Sequence, residues 1–319
     1  MINLRKIGIV GAGHVGSHCA LTMMLEGVCD EITFVDVDNK KARAQALDCM
    51  DTISNLPHKI VVTSGNLENL GDKDIIIISV GTIDNVSQNR LGETKLSLEL
   101  IKSIIPQIMN TGFEGYFIVI TNPVDIITYY VQYLSKLPYN RVIGSGTSLD
   151  SGRFKRILSD ELSINPKSIT AFMLGEHGDS QVAAFSNVFL EGKRLDDYLN
   201  DNPEKNRYFD HRQVEKKVME SGWDIYQGKG STEFGIGSMC SEIVKSIYHD
   251  KKNIIACGAY LDGQYGYKGV YAGVPVILGK NGIEGIIELP LDNLEKSRLL
   301  NSFEILKKYI EFGRDAIVI

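Results

Sequence analysis

Short apolar runs and amphipathic stretches take turns along the first half of the chain. KIGIV (6–10), EITFVDV (31–37), KIVVTS (59–64), DIIIISV (74–80), YFIVIT (116–121) and RVIGSG (141–146) are rich in β-branched residues. Several are apolar almost throughout, as strands buried on both faces of a parallel sheet must be. Between them lie the amphipathic stretches KARAQALDCMDTI (41–53) and ETKLSLELIKSIIPQIMN (93–110). This alternation predicts an α/β chain built on a doubly wound parallel sheet.

The texture changes after about residue 145. A helix is expected from Ser148 to Leu162, with Ser151 or Asp150 as its cap and NPKS as its stop. ITAFML (169–174) and AAFSNVFL (183–190) read as strands, and 196–211 as a polar loop. A helix follows over 213–227, then two antiparallel strands over 269–279 and 282–290, and a terminal helix over 294–313. Two closely packed domains are expected, 1–145 and 146–319, with the boundary near 144–147.

Length and composition narrow the class. A chain of 319 residues suits two domains with sizeable cores. The net charge is -6, so no basic surplus exists to hold a polyanion, and nucleic acid is an unfavoured partner. The five cysteines, at 19, 29, 49, 240 and 257, are scattered and form no CxxC pair. That pattern reads as reduced thiols, with neither a disulfide framework nor a metal site. MINLRKIGIVGAG lacks the long apolar segment of a signal peptide, and no run approaches a membrane span. The expectation is a soluble, cytoplasmic protein.

Candidate chemistry begins with GAGHVG. Gly11, Gly13 and Gly16 follow the first strand and open a helix. The first glycine suits a tight turn, the second admits a pyrophosphate against the backbone, and the third lets helix pack on strand. Asp36 ends the second strand, twenty residues past Gly16. An acid there can accept from both adenosine ribose hydroxyls and repels a 2'-phosphate, which favours NAD over NADP. Alone, Asp36 is a strand-end acid; with the loop and the spacing it points to a dinucleotide.

LGEHGDSQ (174–181) holds one of only six histidines. By itself His177 is a turn histidine beside two acids. LDSGR places Asp150 and Arg153 three apart, on one face of the expected helix. An aspartate can orient a histidine and raise its pKa, and an arginine fork suits a substrate carboxylate. The plain alternative is a surface salt bridge. GTIDNVSQNRLGE (81–93) leaves the carboxyl end of a strand, where ligands bind and lids form. Arg90 near its end suits polarising a carbonyl oxygen, or is a solvated loop charge. Asn122 in TNPVD sits at the same sheet edge and suits the nicotinamide amide or the reacting centre, or a turn before proline.

GAGHVG, FVDVD, IISVG, the NR of the 81–93 loop, TNPVD, GTSLDSGR, LGEHGDS and GKGSTEFGIG occur in that order over essentially the whole chain. The ordered set resembles the L-lactate dehydrogenase family, and within it looks most like the L-2-hydroxyisocaproate dehydrogenases. The resemblance implies an N-terminal Rossmann domain and a C-terminal α+β catalytic domain. It implies NAD as cofactor, a small 2-oxo or 2-hydroxy acid as substrate, and a homodimer or homotetramer. His177 then stands as proton donor, Asp150 as its partner and Arg90 as the lid arginine. Arg153 grips the substrate carboxylate, Asn122 lies near nicotinamide and histidine, and Thr232 lines the pocket. Val15, Gly81 and Ile236 join the glycine loop and Asp36 in holding NAD.

Two positions depart from the family. Lactate dehydrogenases have glutamine six places before the lid arginine, and malate dehydrogenases arginine; here stands Asp84. Its charge disfavours a second substrate carboxylate. Ten residues before Thr232, where alanine is usual, stands Gly222. Both lean toward bulkier 2-oxo acids such as 2-oxoisocaproate, with a dedicated L-lactate dehydrogenase as the alternative. A non-catalytic NAD-binding scaffold is the rival from another class.

Overall fold

The computed structural model describes residues 4–81 and 90–318, with the side chains of 90–93 and 315–318 left aside. In the first half, β1 (Lys6–Val10) leads through the glycine loop into α1 (His14–Leu25). Then come β2 (Glu31–Val35), α2 (Asn39–Asp51), β3 (Val61–Ser64), β4 (Ile75–Ile78), α3 (Arg90–Met109), β5 (Tyr116–Val119), α4 (Val124–Ser135) and β6 (Val142–Gly144). All neighbouring pairs among these strands are parallel, in the order β3-β2-β1-β4-β5-β6. That is the doubly wound arrangement, with the strand order reversing beside β1. Ile75, Ile76, Ile77 and Ile78 of β4 are all fully buried, which a strand manages only when both sheet faces are covered.

The second half begins with α5 (Ser148–Leu162), followed by the two-residue strands β7 (Ile169–Thr170), β8 (Met173–Leu174), β9 (Val182–Ala183), β10 (Phe189–Leu190) and β11 (Lys193–Arg194). Helices α6 (Leu195–Asn200), α7 (Pro203–Tyr208), α8 (His211–Lys229) and α9 (Phe234–Tyr248) come next. β12 (Asn253–Asp262), β13 (Lys268–Gly279), β14 (Gly282–Ile286) and α10 (Asn293–Val318) complete the chain. The last three strands are antiparallel and extend the first sheet, giving nine strands in the order β14-β13-β12-β6-β5-β4-β1-β2-β3. A separate core packs Phe154 and Leu158 of α5 against Met173 and Val218.

Several sequence expectations change. The loop at 196–211 contains α6 and α7, because Leu195 and Leu199 find a core to enter and Pro203 starts a helix at its first turn. The strand over 183–190 is broken by a 3-10 turn at Phe185–Asn187, and 169–174 splits into β7 and β8. The strand expected over 282–290 ends at Ile286. Neither Asp150 nor Ser151 caps α5: Thr147 holds the cap position with its side chain bonded away from the helix, and the two residues bond elsewhere.

The join between β6 and β12 rests on Gly144 opposite Gly258. A Cβ added to Gly258 would lie 3.0 Å from the Gly144 Cα. Gly258→Val is therefore expected to prise this seam apart and cost about 1–3 kcal/mol. Thermal melts of the two proteins test it; equal midpoints would show that the seam tolerates a side chain.

Candidate active site

The loop carrying His177 leaves β8 through Gly175, whose φ of +91° is open to glycine and strained for other residues. Gly175 exchanges two backbone hydrogen bonds with Gly273 of β13, at 2.9 and 2.8 Å. The Glu176 amide donates to Ser302 Oγ of α10 at 2.8 Å, and the His177 amide donates to Asp125 Oδ2 of α4 at 2.8 Å. Three separate elements therefore hold the loop's backbone before any side chain of the site is considered.

Asp150 and Arg153 stand one turn apart at the start of α5. Asp150 is nearly sealed from solvent, and both its oxygens are used. Arg153 donates to Oδ1 at 2.9 Å, and His177 Nδ1 lies 2.5 Å from Oδ2. Burial pushes the Asp150 carboxyl up, but the charges and hydrogen bonds of His177 and Arg153 outweigh it and hold the group below the usual carboxylate range. Burial lowers the His177 pKa, and the Asp150 charge and hydrogen bond, helped by Asp125, reverse that and leave it raised. An ionised aspartate accepts, so Nδ1 carries the proton and Nε2 is the nitrogen left for chemistry. The His177 side chain keeps 26 % of its surface open.

Gly222 of α8 lies against this chain of charges: a Cβ added there would sit 3.4 Å from both terminal nitrogens of Arg153. Asn122 is exposed just past β5, Thr232 is half-buried between α8 and α9, and Ile236 lies in the first turn of α9. No side-chain hydrogen bond joins Asn122 or Thr232 to the Arg153–Asp150–His177 chain among the described residues. Arg90 begins α3, but its side chain, like all of Asp84, lies outside the described residues. Asp125 and Glu176 were not singled out from the sequence, although TNPVD and LGEHGDS contain them. Their signal is a buried carboxylate (2 % and 6 % exposed), which needs a reason to be there.

The glycine loop fits a dinucleotide. Gly11 has φ of +102°, and a Cβ there would lie 2.2 Å from the Ser79 carbonyl oxygen. A Cβ on Gly16 would meet the Gly11 carbonyl oxygen at 2.0 Å, so α1 packs on β1 only with glycine. Above Gly13 the space is open except for Lys41 Nζ at 3.8 Å, a cradle with one cation at the start of α1, which begins beside the half-exposed Val15. Asp36 Oδ2 accepts from the Ala12 amide at 2.8 Å and Oδ1 from the Asp38 amide at 3.0 Å. That fixes the carboxylate beside the loop with lone pairs to spare. Among the described residues, no atom beyond its chain neighbours lies within 4 Å of a Cβ placed on Gly81.

A dinucleotide cradle and a buried Asp–His pair at one sheet's carboxyl edge define a dehydrogenase-type architecture. The chain belongs to the lactate/malate dehydrogenase family: residues 5–144 match its NAD binding domain and residues 147–317 its alpha/beta C-terminal domain. It is an NAD-dependent oxidoreductase acting on CH–OH groups. It is 51% identical over 314 residues to an L-lactate dehydrogenase of Fusobacterium nucleatum, covering 98% of each chain. It is 41% identical to L-lactate dehydrogenase 3 of Bacillus thuringiensis, covering 96% of this chain and 97% of that one. The ligand-bound crystal structure of the minor L-lactate dehydrogenase of Enterococcus mundtii superposes with a TM-score of 0.92 at 34% identity, over 96% of this chain and 98% of that one.

The raised His177 pKa has a consequence for stability. Its pairing contributes in full below the unfolded value near 6.5 and is lost as pH rises through the raised folded value. The Asp150 contribution is present above its unfolded value near 3.8 and is lost as pH falls through the lowered one. Asp150→Asn should therefore cost most near pH 6, roughly 3 kcal/mol, and less at alkaline pH where His177 is neutral in both proteins. Denaturant melts at the two pH values test this, and an equal loss at both would sink the paired-charge account.

Proposed function

We propose that the chain is an L-2-hydroxyacid dehydrogenase that interconverts L-lactate and pyruvate with NAD, and that it accepts larger 2-oxo acids as poorer substrates. The observation that carries this reading is Asp150 held between Arg153 and His177. The names of the relatives support lactate over the hydroxyisocaproate preference expected from the sequence. The space beside Gly222 and Arg153 favours tolerance of bulk as a second reading.

NAD, when bound, supplies or accepts the hydride. Its holders would be Gly11, Gly13, Val15, Gly16, Asp36, Gly81 and Ile236, with Asn122 at the nicotinamide end. Arg153 pairs with the substrate carboxylate and fixes which face of the carbonyl is presented. His177 gives its proton from Nε2 to the carbonyl oxygen, and Asp150 steadies the imidazolium beforehand. Arg90 stabilises charge on that oxygen, and Thr232 lines the site. In the opposite direction, neutral His177 takes the hydroxyl proton. We also propose that the domains meet near residue 145, that the protein assembles as a homodimer or homotetramer, and that it works in the cytoplasm. The five buried, unpaired cysteines support that compartment. No helix among the described residues is long and apolar enough to cross a membrane.

NADH oxidation with pyruvate, 2-oxoisocaproate, phenylpyruvate and oxaloacetate tests the reading. Pyruvate is expected to lead in kcat/KM, and oxaloacetate to trail. A clear lead for the bulky acids would instead favour the hydroxyisocaproate branch, and no turnover would remove the catalytic reading. Gly222→Ala should narrow the preference toward pyruvate by about tenfold, a methyl's worth of pocket. Arg153→Leu should raise KM by orders of magnitude.

A further inference from the structure

Three carboxylates are buried around His177, and they are not equally supplied with donors. Asp150 accepts from Arg153 and His177, and Glu176 accepts from the amide and hydroxyl of Ser180. Asp125, in the first turn of α4 and 2 % exposed, accepts the His177 amide on Oδ2. Its Oδ1 has no hydrogen-bond partner among the described residues. Asp125 lines a void of about 10 Å³ with Pro123, Ile126, Glu176, Leu306 and Tyr309. That is the lower limit for a single water, so bulk solvent does not stand in for the missing donor.

Among the described residues, two cations stand against the three carboxylates, Arg153 and the protonated imidazole. With every group ionised the cluster holds one surplus negative charge in a low-dielectric setting, which is costly. The carboxylate with the fewest donors takes up a proton most cheaply. Burial pushes the Asp125 carboxyl up to about 7 against the pull of the His177 amide and charge, with Glu176 and Asp150 adding to the push. Among the described residues, the titratable groups facing it are His177 and Glu176 from the loop, Asp150 from α5 and Tyr309 from α10.

We propose that Asp125 is a second positioning residue for His177: it fixes the loop backbone from α4 while Asp150 fixes the ring from α5, and its charge helps keep a proton on the imidazole. The proposal rests on the reading of His177 as the proton donor. Proton uptake by Asp125 weakens the hold on the His177 amide and removes one of the imidazole's two anionic supports. Proton donation is thereby tied to a second titration that no contact with substrate requires.

The test is an NMR titration of the His177 ring and backbone amide in the wild-type protein and in Asp125→Asn, followed by kcat/KM for pyruvate reduction against pH. Asparagine keeps an oxygen for the amide and loses the charge. In the wild type the His177 amide shift should inflect near pH 7, together with the Asp125 carboxyl carbon. In the variant that inflection should vanish and the His177 ring midpoint should fall by about half a pH unit or more. The alkaline limb of kcat/KM should move down with it, while KM well below that limb stays unchanged. A folded variant with lowered stability but an unmoved ring midpoint would overturn the proposal and leave Asp125 merely structural. Should the variant not fold, the wild-type amide decides: a flat response through neutrality overturns the proposal. The ring and amide titrations need no turnover. If they behave as expected in a protein that reduces no 2-oxo acid, the functional reading falls and the contact stands.

Discussion

A buried carboxylate survives only where donors replace water, and Asp150 meets that condition with a guanidinium on one oxygen and an imidazole on the other. The attraction between such groups does not by itself repay their desolvation. Neutral contacts beside the pair also hold the elements in register. The Thr147 hydroxyl donates to the Met173 carbonyl at 2.5 Å, and the Met173 amide donates to Ser151 Oγ at 2.9 Å. These two bonds tie the first turn of α5 to β8, four residues before the histidine. The ion pair thus lies between elements that other bonds also hold at this distance, which is what the proposed preorganised proton donor requires.

The same logic explains why the site lies where parallel and antiparallel halves of one sheet meet. β5 and β6 deliver α4 and α5 to the carboxyl edge, where ligands of doubly wound sheets bind. β13 comes in from the other half and takes the His177 loop through Gly175 and Gly273. Asp125, Asp150 and His177 are distant in sequence, and they converge because three connections end at one edge. A site assembled this way depends on the seam between β6 and β12, since a shift there would move the loop relative to both aspartates.

Much of this was legible in the chain. β4 announced itself through four consecutive isoleucines, and Asp150 with Arg153 through helical spacing. The link from that pair to His177 came only through the ordered motifs, because no local pattern joins residues 150 and 177. α4, α9 and β12 went unread for physical reasons. VDIITYYVQYLS is rich in strand-forming residues, and tertiary packing overrides that preference. α9 has glycines at 235 and 237 in its first turn, and Gly237 is needed because a side chain there would crowd His18 and Thr22 of α1. β12 is diluted by Ala256, Gly258 and Ala259, and at Gly258 a side chain would press on the Gly144 backbone of β6. Asp125 was hidden because a first-turn acid is ordinarily a favourable helix-dipole partner in water. Only burial distinguishes it.

Selectivity follows from which parts of the site are rigid. Arg153 is buried to about nine-tenths and oriented by Asp150, so the guanidinium cannot swing to suit a new substrate. A carboxylate that pairs with it is therefore placed in one position, and the remainder of the substrate must fit whatever volume is left. A Cβ on Gly222 would lie against the guanidinium, so on the proposed reading glycine there would leave about one methyl group more room. Such a change is worth about 1–3 kcal/mol between substrates differing by a methylene. That would grade preference among 2-oxo acids without switching it, so the proposed lactate activity is compatible with Gly222 and with a weaker rejection of larger side chains. Charge discriminates more sharply than volume, because a second substrate carboxylate near three buried acids would meet no cation of its own among the described residues.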